Sequence, residues 1–224
     1  MANDAVIVDD IHIAGDVSAG GLAVPADASI EDKHIAASAA IERYKMAQDA
    51  TVPFSVPLLS FRVWNNLGSL LPSTPASDDL GIVGGAFATA SPVISSGDLK
   101  AAGATTRYAR AIYQIPPEYD AFATVQIVCH AGMNTTVADN SATLDVECYR
   151  SDRDGSMSAD LATTAAQSIN SLTFSDKTFA VTSTVMRGGD IVDLRLTVAV
   201  NDAATGTAVI AMVGAVELQC DIRA

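Results

Sequence analysis

Aromatic residues are scarce in this 224-residue chain, at 5% of all residues, although 49% of the residues are hydrophobic. This scarcity argues against a large pocket lined by aromatic side chains. The apolar content comes mainly from Ala, Val, Ile and Leu, and Thr and Ser are common beside them. Such a mixture is typical of β-strands that pack face to face through small side chains.

Basic residues are also few, with 13 Lys and Arg against 26 Asp and Glu, which gives a formal net charge of −13. An acidic surface without a basic cluster repels phosphate backbones, so we expect no nucleic-acid partner. No apolar run approaches the ~18 residues of a membrane-spanning helix, and we expect no membrane insertion. The first residues lack the basic and apolar segments of a secretory signal, which predicts folding in a cytoplasm.

The chain has three cysteines, Cys129, Cys148 and Cys220, and none of them lies in a Cys-x-x-Cys spacing or in a Cys/His spacing typical of a metal site. Each lies in a strand-like apolar run, which predicts three buried thiols that act as small hydrophobic side chains. A disulfide between Cys129 and Cys148 is the alternative, and a reducing compartment argues against it.

The sequence changes character near residue 79. Residues 1–79 contain short apolar pieces broken by Gly, Asp and Pro, which predicts an extended N-terminal arm that buries its side chains against another surface. Ser29 and Asp32 fit the start of a helix, and we expect one or two short helices over 27–46. Prolines in 51–79 favour an extended connector. The residues predicted to make contacts through this arm are Val6, Ile7, Ile11, Ile13, Ile30, Ile35, Ile41 and Tyr44.

Residues 80–224 predict a domain that is mainly β, an antiparallel jelly-roll-like β-sandwich. Turn residues separate eight candidate strands, and no long helix that could serve as a parallel crossover follows residue 80. The candidate strands are 80–90, 106–115, 121–131, 142–150, 160–169, 177–186, 191–200 and 207–222.

Alternation within these strands predicts one buried and one solvated face. Leu144, Val146 and Cys148 fall on one face of their strand, and Asp145 and Glu147 fall on the other. These two acids, about 6.5–7 Å apart along a strand, could be interpreted as a glycosidase pair. A solvated strand face explains them better, because a sugar site also needs aromatic platforms and we expect the only tryptophan, Trp64, to lie outside the sandwich.

Other candidate sites also have simpler explanations. Asp190 and Asp193 form a second carboxylate pair on a solvated face. Arg110, beside two tyrosines, could form a contact between subunits or a plain solvated strand edge. His130 directly follows Cys129, and neighbours in a strand point to opposite faces, so the two residues do not form a catalytic pair. We therefore expect no enzyme activity and no cofactor.

The segment from residue 152 to residue 160 has oxygen-bearing side chains at alternate positions followed by Gly155, like the opening of a calcium loop. The candidate ligands are Asp152, Asp154, Ser156 and Asp160. Thr163 occupies the position where a bidentate Glu would be required, so an Asp/Gly hairpin loop with Asx turns is the preferred interpretation.

The arm carries a pattern that resembles a known class of protein. Residues 20–25 (GGLAVP), 29–35 (SIEDKHI) and 39–46 (AAIERYKM) resemble the N-terminal arms of tailed-bacteriophage virion proteins, although Met46 replaces the usual leucine. Later pieces, among them 115–120 (IPPEYD), 149–152 (YRSD) and 188–190 (GGD), are similar to proteins of the same type.

The resemblance implies a homotrimeric virion component attached to the major capsid protein or to another virion component, without saying whether it lies on the capsid or the tail. We therefore expect a non-enzymatic capsid decoration or head-fibre protein, made in the host cytoplasm, with an anchoring arm over 1–79 and a display domain over 80–224. The alternative is a carbohydrate- or receptor-binding module of a tail fibre, which would recognise a host surface glycan.

Overall fold

The computed structural model describes residues 51–152, 154–203 and 206–222, and these residues form two antiparallel β-sheets. Short 3-10 turns at Leu58–Ser60 and Ser183–Val185 are the helical elements among them. The strands are β1 Thr51–Ser55, β2 Arg62–Val63, β3 Asn66–Leu70, β4 Gly81–Val83, β5 Val93–Ser95, β6 Gly103–Gln114, β7 Val125–Asn134, β8 Ser141–Arg150, β9 Gln167–Ser168, β10 Ser175–Ala180, β11 Ile191–Asp202 and β12 Ile210–Asp221.

The strand order is that of a jelly roll. The back sheet has the order β10-β7-β12-β5-β4, and β1 pairs with the remaining part of β12. The front sheet has the order β3-β2-β6-β11-β8-β9. Apart from the step from β8 to β9, the chain passes from one sheet to the other at each strand from β5 to β12, which gives the paired Greek keys of a jelly roll. The predicted fold class of the display domain is confirmed.

Alternating apolar residues build the core between the two sheets. In β11, Val192, Leu194, Leu196 and Val198 are buried, and the residues between Leu194 and Val198 are partly exposed. Each fully buried aliphatic side chain contributes roughly 1.5–3 kcal/mol before the cost of ordering. The two long neighbours of β11, β6 and β8, hold its register along almost its whole length, so Asp193, Arg195 and Thr197 share the outer face of the front sheet.

Two predicted strands are much shorter in the structure. The strand predicted over 80–90 ends at Val83, because Gly84 and Gly85 both adopt a φ of 83°, a left-handed conformation that suits glycine. The strand predicted over 160–169 contributes only β9. The chain before β9 contacts both sheets. The Leu161 N–H donates to Cys148 O of β8 in the front sheet (2.8 Å), and the Thr163 N–H donates to Ala180 O of β10 in the back sheet (2.9 Å).

The sandwich begins before the predicted boundary at residue 79. Strand β1 pairs with β12 from Thr51↔Asp221 onward, and β2 joins the front sheet through Arg62↔Arg110. Phe61, between these strands, is fully buried in the core. Within the described residues the sandwich is therefore already present at Thr51, before the predicted boundary, whereas the predicted helices of 27–46 and all the predicted contact residues of the arm lie outside the described residues.

The three cysteines are buried and unpaired, as predicted. Burial raises the pKa of the Cys129 and Cys148 thiols to about 12 and that of Cys220 to about 11, so they stay protonated near neutral pH.

Among the residues that the structure describes, no helix has the length and apolarity that crossing a membrane would require.

Candidate functional site

A cluster of charged and aromatic side chains occupies the outer face of the front sheet. Arg195 of β11 lies directly between Arg110 of β6 and Glu147 of β8, and Asp193 lies opposite Tyr149. These residues share one face because side chains alternate along each strand. Two arginines thus face each other across neighbouring strands, an arrangement that is unfavourable unless carboxylates neutralise them.

Two ion pairs supply that neutralisation. The Arg110 guanidinium binds the Asp193 carboxylate through both oxygens, with Nε to Oδ1 at 2.7 Å, and this hydrogen bonding raises the pKa of Arg110. Arg195 binds Glu147 through Nε and a terminal nitrogen. Asp193 is only 8% exposed, so the Arg110–Asp193 pair is a fixed part of the surface rather than two mobile side chains.

Trp64 lies over the same face of the front sheet. Its ring centroid is 5.0 Å from that of Tyr108, and its Nε1–H donates to Asp78 Oδ2 at 2.9 Å. The Arg195 guanidinium carbon lies 5.7 Å from the Trp64 ring centroid and 5.2 Å from that of Tyr108, within cation–π range. The expectation that Trp64 lies outside the sandwich is wrong, because β2 places the residue after Val63 on the front sheet.

A pocket of about 430 Å³ opens between these groups. Trp64 and Tyr149 provide its aromatic surfaces, and both arginines, together with Asp193, provide its charged groups. The pocket has the size of a small-ligand site. Although aromatic residues are scarce in the composition, two of them are concentrated here. The lining residues are Trp64, Asn65, Arg110, Tyr149, Met157, Ser158, Asp193 and Arg195.

The carboxylates of β8 stand beside the pocket but do not line it. Glu147 accepts a hydrogen bond from the Tyr149 hydroxyl at 3.2 Å in addition to its ion pair with Arg195. Burial raises the pKa of Asp145, and the negative charges of Glu147 and Asp160 add to this increase. Glu147 is thus occupied in fixing Arg195 and Tyr149, which orients two pocket residues.

The candidate calcium loop is held by its own hydrogen bonds. Asp154 Oδ1 accepts the N–H (2.9 Å) and the hydroxyl (2.6 Å) of Ser156, and Asp160 Oδ1 accepts the Cys148 N–H at 2.9 Å. Asp152 pairs with Arg150 at 2.9 Å. In the described ranges, which omit residue 153, no group of three or more His, Cys, Asp or Glu side chains is arranged to hold a metal ion.

Other residues singled out in the sequence lie away from the pocket. His130 Nδ1 is 2.7 Å from Asp176 Oδ1, and both residues are on the back sheet. The Asp190 carboxylate accepts the Arg187 N–H at 2.9 Å in the turn before β11. Of the carboxylates considered as pairs, Asp193 alone lines the pocket.

Sequence reasoning missed several pocket residues. Arg195 could have been found, since it occupies the polar side of the alternation in β11, two positions after Asp193. The sequence could not predict the other three. Trp64 and Asn65 directly follow a two-residue strand, and Met157 lies in an irregular loop, and in neither case does the local sequence encode the pairing.

Comparisons with known proteins gave structural neighbours only, since no family model and no curated protein matches this chain. The module TmCBM61 in complex with β-1,4-galactotriose aligns with 66% of this chain and 86% of its own, at 7% identity and a TM-score of 0.39.

Two xylan-binding proteins align similarly. The xylan-binding module CBM15 aligns with 78% of this chain and 100% of its own, at 13% identity and a TM-score of 0.40. The CBM22-1 xylan-binding domain from Paenibacillus barcinonensis Xyn10C aligns with 76% and 97%, at 11% identity and a TM-score of 0.36. Because these identities and TM-scores are low, the likenesses carry no argument about what this chain binds.

Proposed function

We propose that the sandwich is a non-enzymatic carbohydrate-binding module and that the pocket on its front sheet holds the sugar. The observation that carries this proposal is that one open pocket is lined by the Trp64 and Tyr149 rings and by two arginines, each neutralised by a carboxylate of the protein. This function was the alternative in the sequence analysis, and the pocket geometry favours it.

The chemistry of a sugar ring matches these two kinds of surface. A pyranose has a face of C–H groups that packs on an aromatic ring, and a rim of hydroxyl groups, each of which both donates and accepts hydrogen bonds. The Arg110–Asp193 pair presents donors and acceptors next to each other, so it can bind two neighbouring hydroxyl groups at once. Since the pair is already fixed, little side-chain entropy is lost on binding.

The state of the carboxylates favours binding over hydrolysis. A glycosidase needs one protonated carboxylic acid and one carboxylate on opposite sides of the scissile bond. Asp193 is bound by Arg110 and Glu147 by Arg195, so both carboxylates are already engaged by guanidinium groups of the protein. Neither carboxylate is free to protonate a glycosidic oxygen without giving up its ion pair.

An array of plant, microbial and host oligosaccharides, probed with the full-length chain, tests this proposal. We expect saturable binding to at least one oligosaccharide and no release of shorter products. Absence of binding to every glycan at millimolar concentrations would refute the proposed function, and release of shorter products would refute its non-enzymatic part.

A second proposal concerns attachment to a virion as a homotrimer, and it rests on the resemblance of residues 20–46 to phage arms. One structural observation supports a separate role for that segment. All eight jelly-roll strands lie within 93–221, so completing the roll requires none of residues 1–46. The segment would add strands to an edge of a capsid or tail partner and bury its aliphatic side chains there.

Deletion of residues 2–46 tests this second proposal. We expect the truncated chain to remain folded, with thermal unfolding close to that of the full chain, and to lose attachment to particles in a sedimentation assay. The full-length chain is the control. Attachment that survives the deletion would show that the anchor lies elsewhere.

A further inference from the structure

The charges on the front sheet are not balanced beyond the two ion pairs. Arg110 and Asp193 neutralise each other, as do Arg195 and Glu147. Asp145 adds a carboxylate on the same outward face of β8. Within the described part of the chain, the structure records no ion pair for this carboxylate. Two more carboxylates, Asp78 and Asp79, precede β4 beside Trp64 and Tyr108. Arg62 of β2, opposite Arg110, adds one cation, and its recorded contacts are backbone carbonyl oxygens. The acidic groups on and beside this face therefore still outnumber the basic ones, and a ligand there meets an excess of negative charge.

We propose that the pocket selects neutral glycans and rejects sugars that carry a carboxylate, such as uronic or sialic acids. This inference rests on the proposed carbohydrate-binding function and specifies its ligand class. Two kinds of group determine this selectivity. Asp193 already binds the guanidinium of Arg110, and Asp145, Asp78 and Asp79 add negative charge around the pocket.

A carboxylate on the ligand meets no guanidinium in the pocket lining that is free of a protein carboxylate. The guanidinium groups of Arg110 and Arg195 are the cations that line the pocket, and each is already held by at least two contacts to a carboxylate of the protein. An acidic sugar must either displace Asp193 or Glu147 or stand beside them without a partner. Like charges brought together at partly buried positions cost far more than in bulk water. Neutral hydroxyl groups carry no such cost.

Removing the charge of Asp193 should reverse this selection. Asp193→Asn keeps the shape of the side chain and one acceptor oxygen, but it releases the guanidinium fork of Arg110. A free arginine fork matches a ligand carboxylate through two parallel hydrogen bonds. The variant should therefore accept an acidic sugar at the position where the native pocket excludes it.

The experiment compares matched pairs of oligosaccharides in gluco, galacto and manno configurations, each neutral and with the 6-hydroxymethyl group oxidised to a carboxylate. By titration calorimetry, the native chain is expected to bind at least one neutral ligand at least tenfold more tightly than its oxidised partner. Asp193→Asn should lower the ratio of the neutral-ligand affinity to the oxidised-ligand affinity at least tenfold. High salt should lower the same ratio for the native chain. Asp145→Asn, which leaves both ion pairs in place, should narrow it by a smaller factor.

Asp176→Asn is the matched control, because it changes the net charge equally but lies on the back sheet. It should leave the ratio unchanged. Equal or tighter binding of the oxidised ligands by the native chain overturns the inference and leaves the carbohydrate-binding function standing. An unchanged ratio in both Asp193→Asn and Asp145→Asn also overturns it. If only acidic glycans of the array bind, the inference is overturned and the carbohydrate-binding function is retained. If neither the matched sets nor any glycan of the array binds, the proposed function fails with the inference.

Discussion

Trp64→Ala is expected to weaken glycan binding about 30-fold. A buried or half-buried aromatic at the centre of a binding site typically contributes about 2 kcal/mol or more when truncated, and every 1.4 kcal/mol is a factor of ten in affinity. Trp64 supplies an aromatic surface of the pocket and also packs against Tyr108 and Arg195. Titration calorimetry with a ligand identified on the array measures the change.

Phe87→Ala is the matched control for this loss. Phe87 is 99% exposed in the loop between β4 and β5 and does not line the pocket, so its removal should leave the affinity unchanged. Tyr149→Phe, which keeps the ring and removes only the hydroxyl that binds Glu147, should lose less than Trp64→Ala. Native affinity in a folded Trp64→Ala chain would show that the sugar binds elsewhere.

Phe61→Ala is expected to destabilise the sandwich by about 3–5 kcal/mol. Phe61 lies between β1 and β2 with none of its surface exposed, and truncating a buried phenylalanine removes apolar contacts and leaves a cavity. A loss of this size is a large fraction of the stability of a single domain. Chemical denaturation of the full chain, followed by far-ultraviolet circular dichroism, measures it.

Phe87→Ala is also the control for this loss of stability, because it makes the identical chemical change at an exposed position. Phe87→Ala should change the free energy of unfolding by no more than about 0.5 kcal/mol. If Phe61→Ala costs no more than Phe87→Ala, residues 51–79 are not an integral part of the sandwich and the boundary predicted at residue 79 is correct.

Local alternation was enough to predict the long strands of this fold. In β8, the apolar positions Leu144, Val146 and Cys148 are buried and Asp145 and Glu147 face outward, as the period of two requires. The polar faces of β6 and β11 follow the same rule. Such strands carry their orientation in their own sequence, and the sandwich of small aliphatic residues follows from them.

The beginning of the sandwich and the composition of the pocket could not be predicted this way. Strand β2 has two residues, too few for an alternation, and its place is set by pairing with Arg110, nearly fifty positions later. The partners Arg110 and Asp193 are separated by 83 positions. Proline-rich residues 51–79 also resemble a connector, although an edge strand such as β1 tolerates Pro53 because β12 pairs with one side of it.

Tryptophan fluorescence tests the central claim most directly, since Trp64 is the only tryptophan in the chain and reports on the pocket alone. Titration with a neutral oligosaccharide that binds on the array is expected to change the emission of Trp64 saturably, with a midpoint equal to the affinity from calorimetry. Binding by calorimetry with unchanged Trp64 emission would contradict the account and place the sugar on another surface.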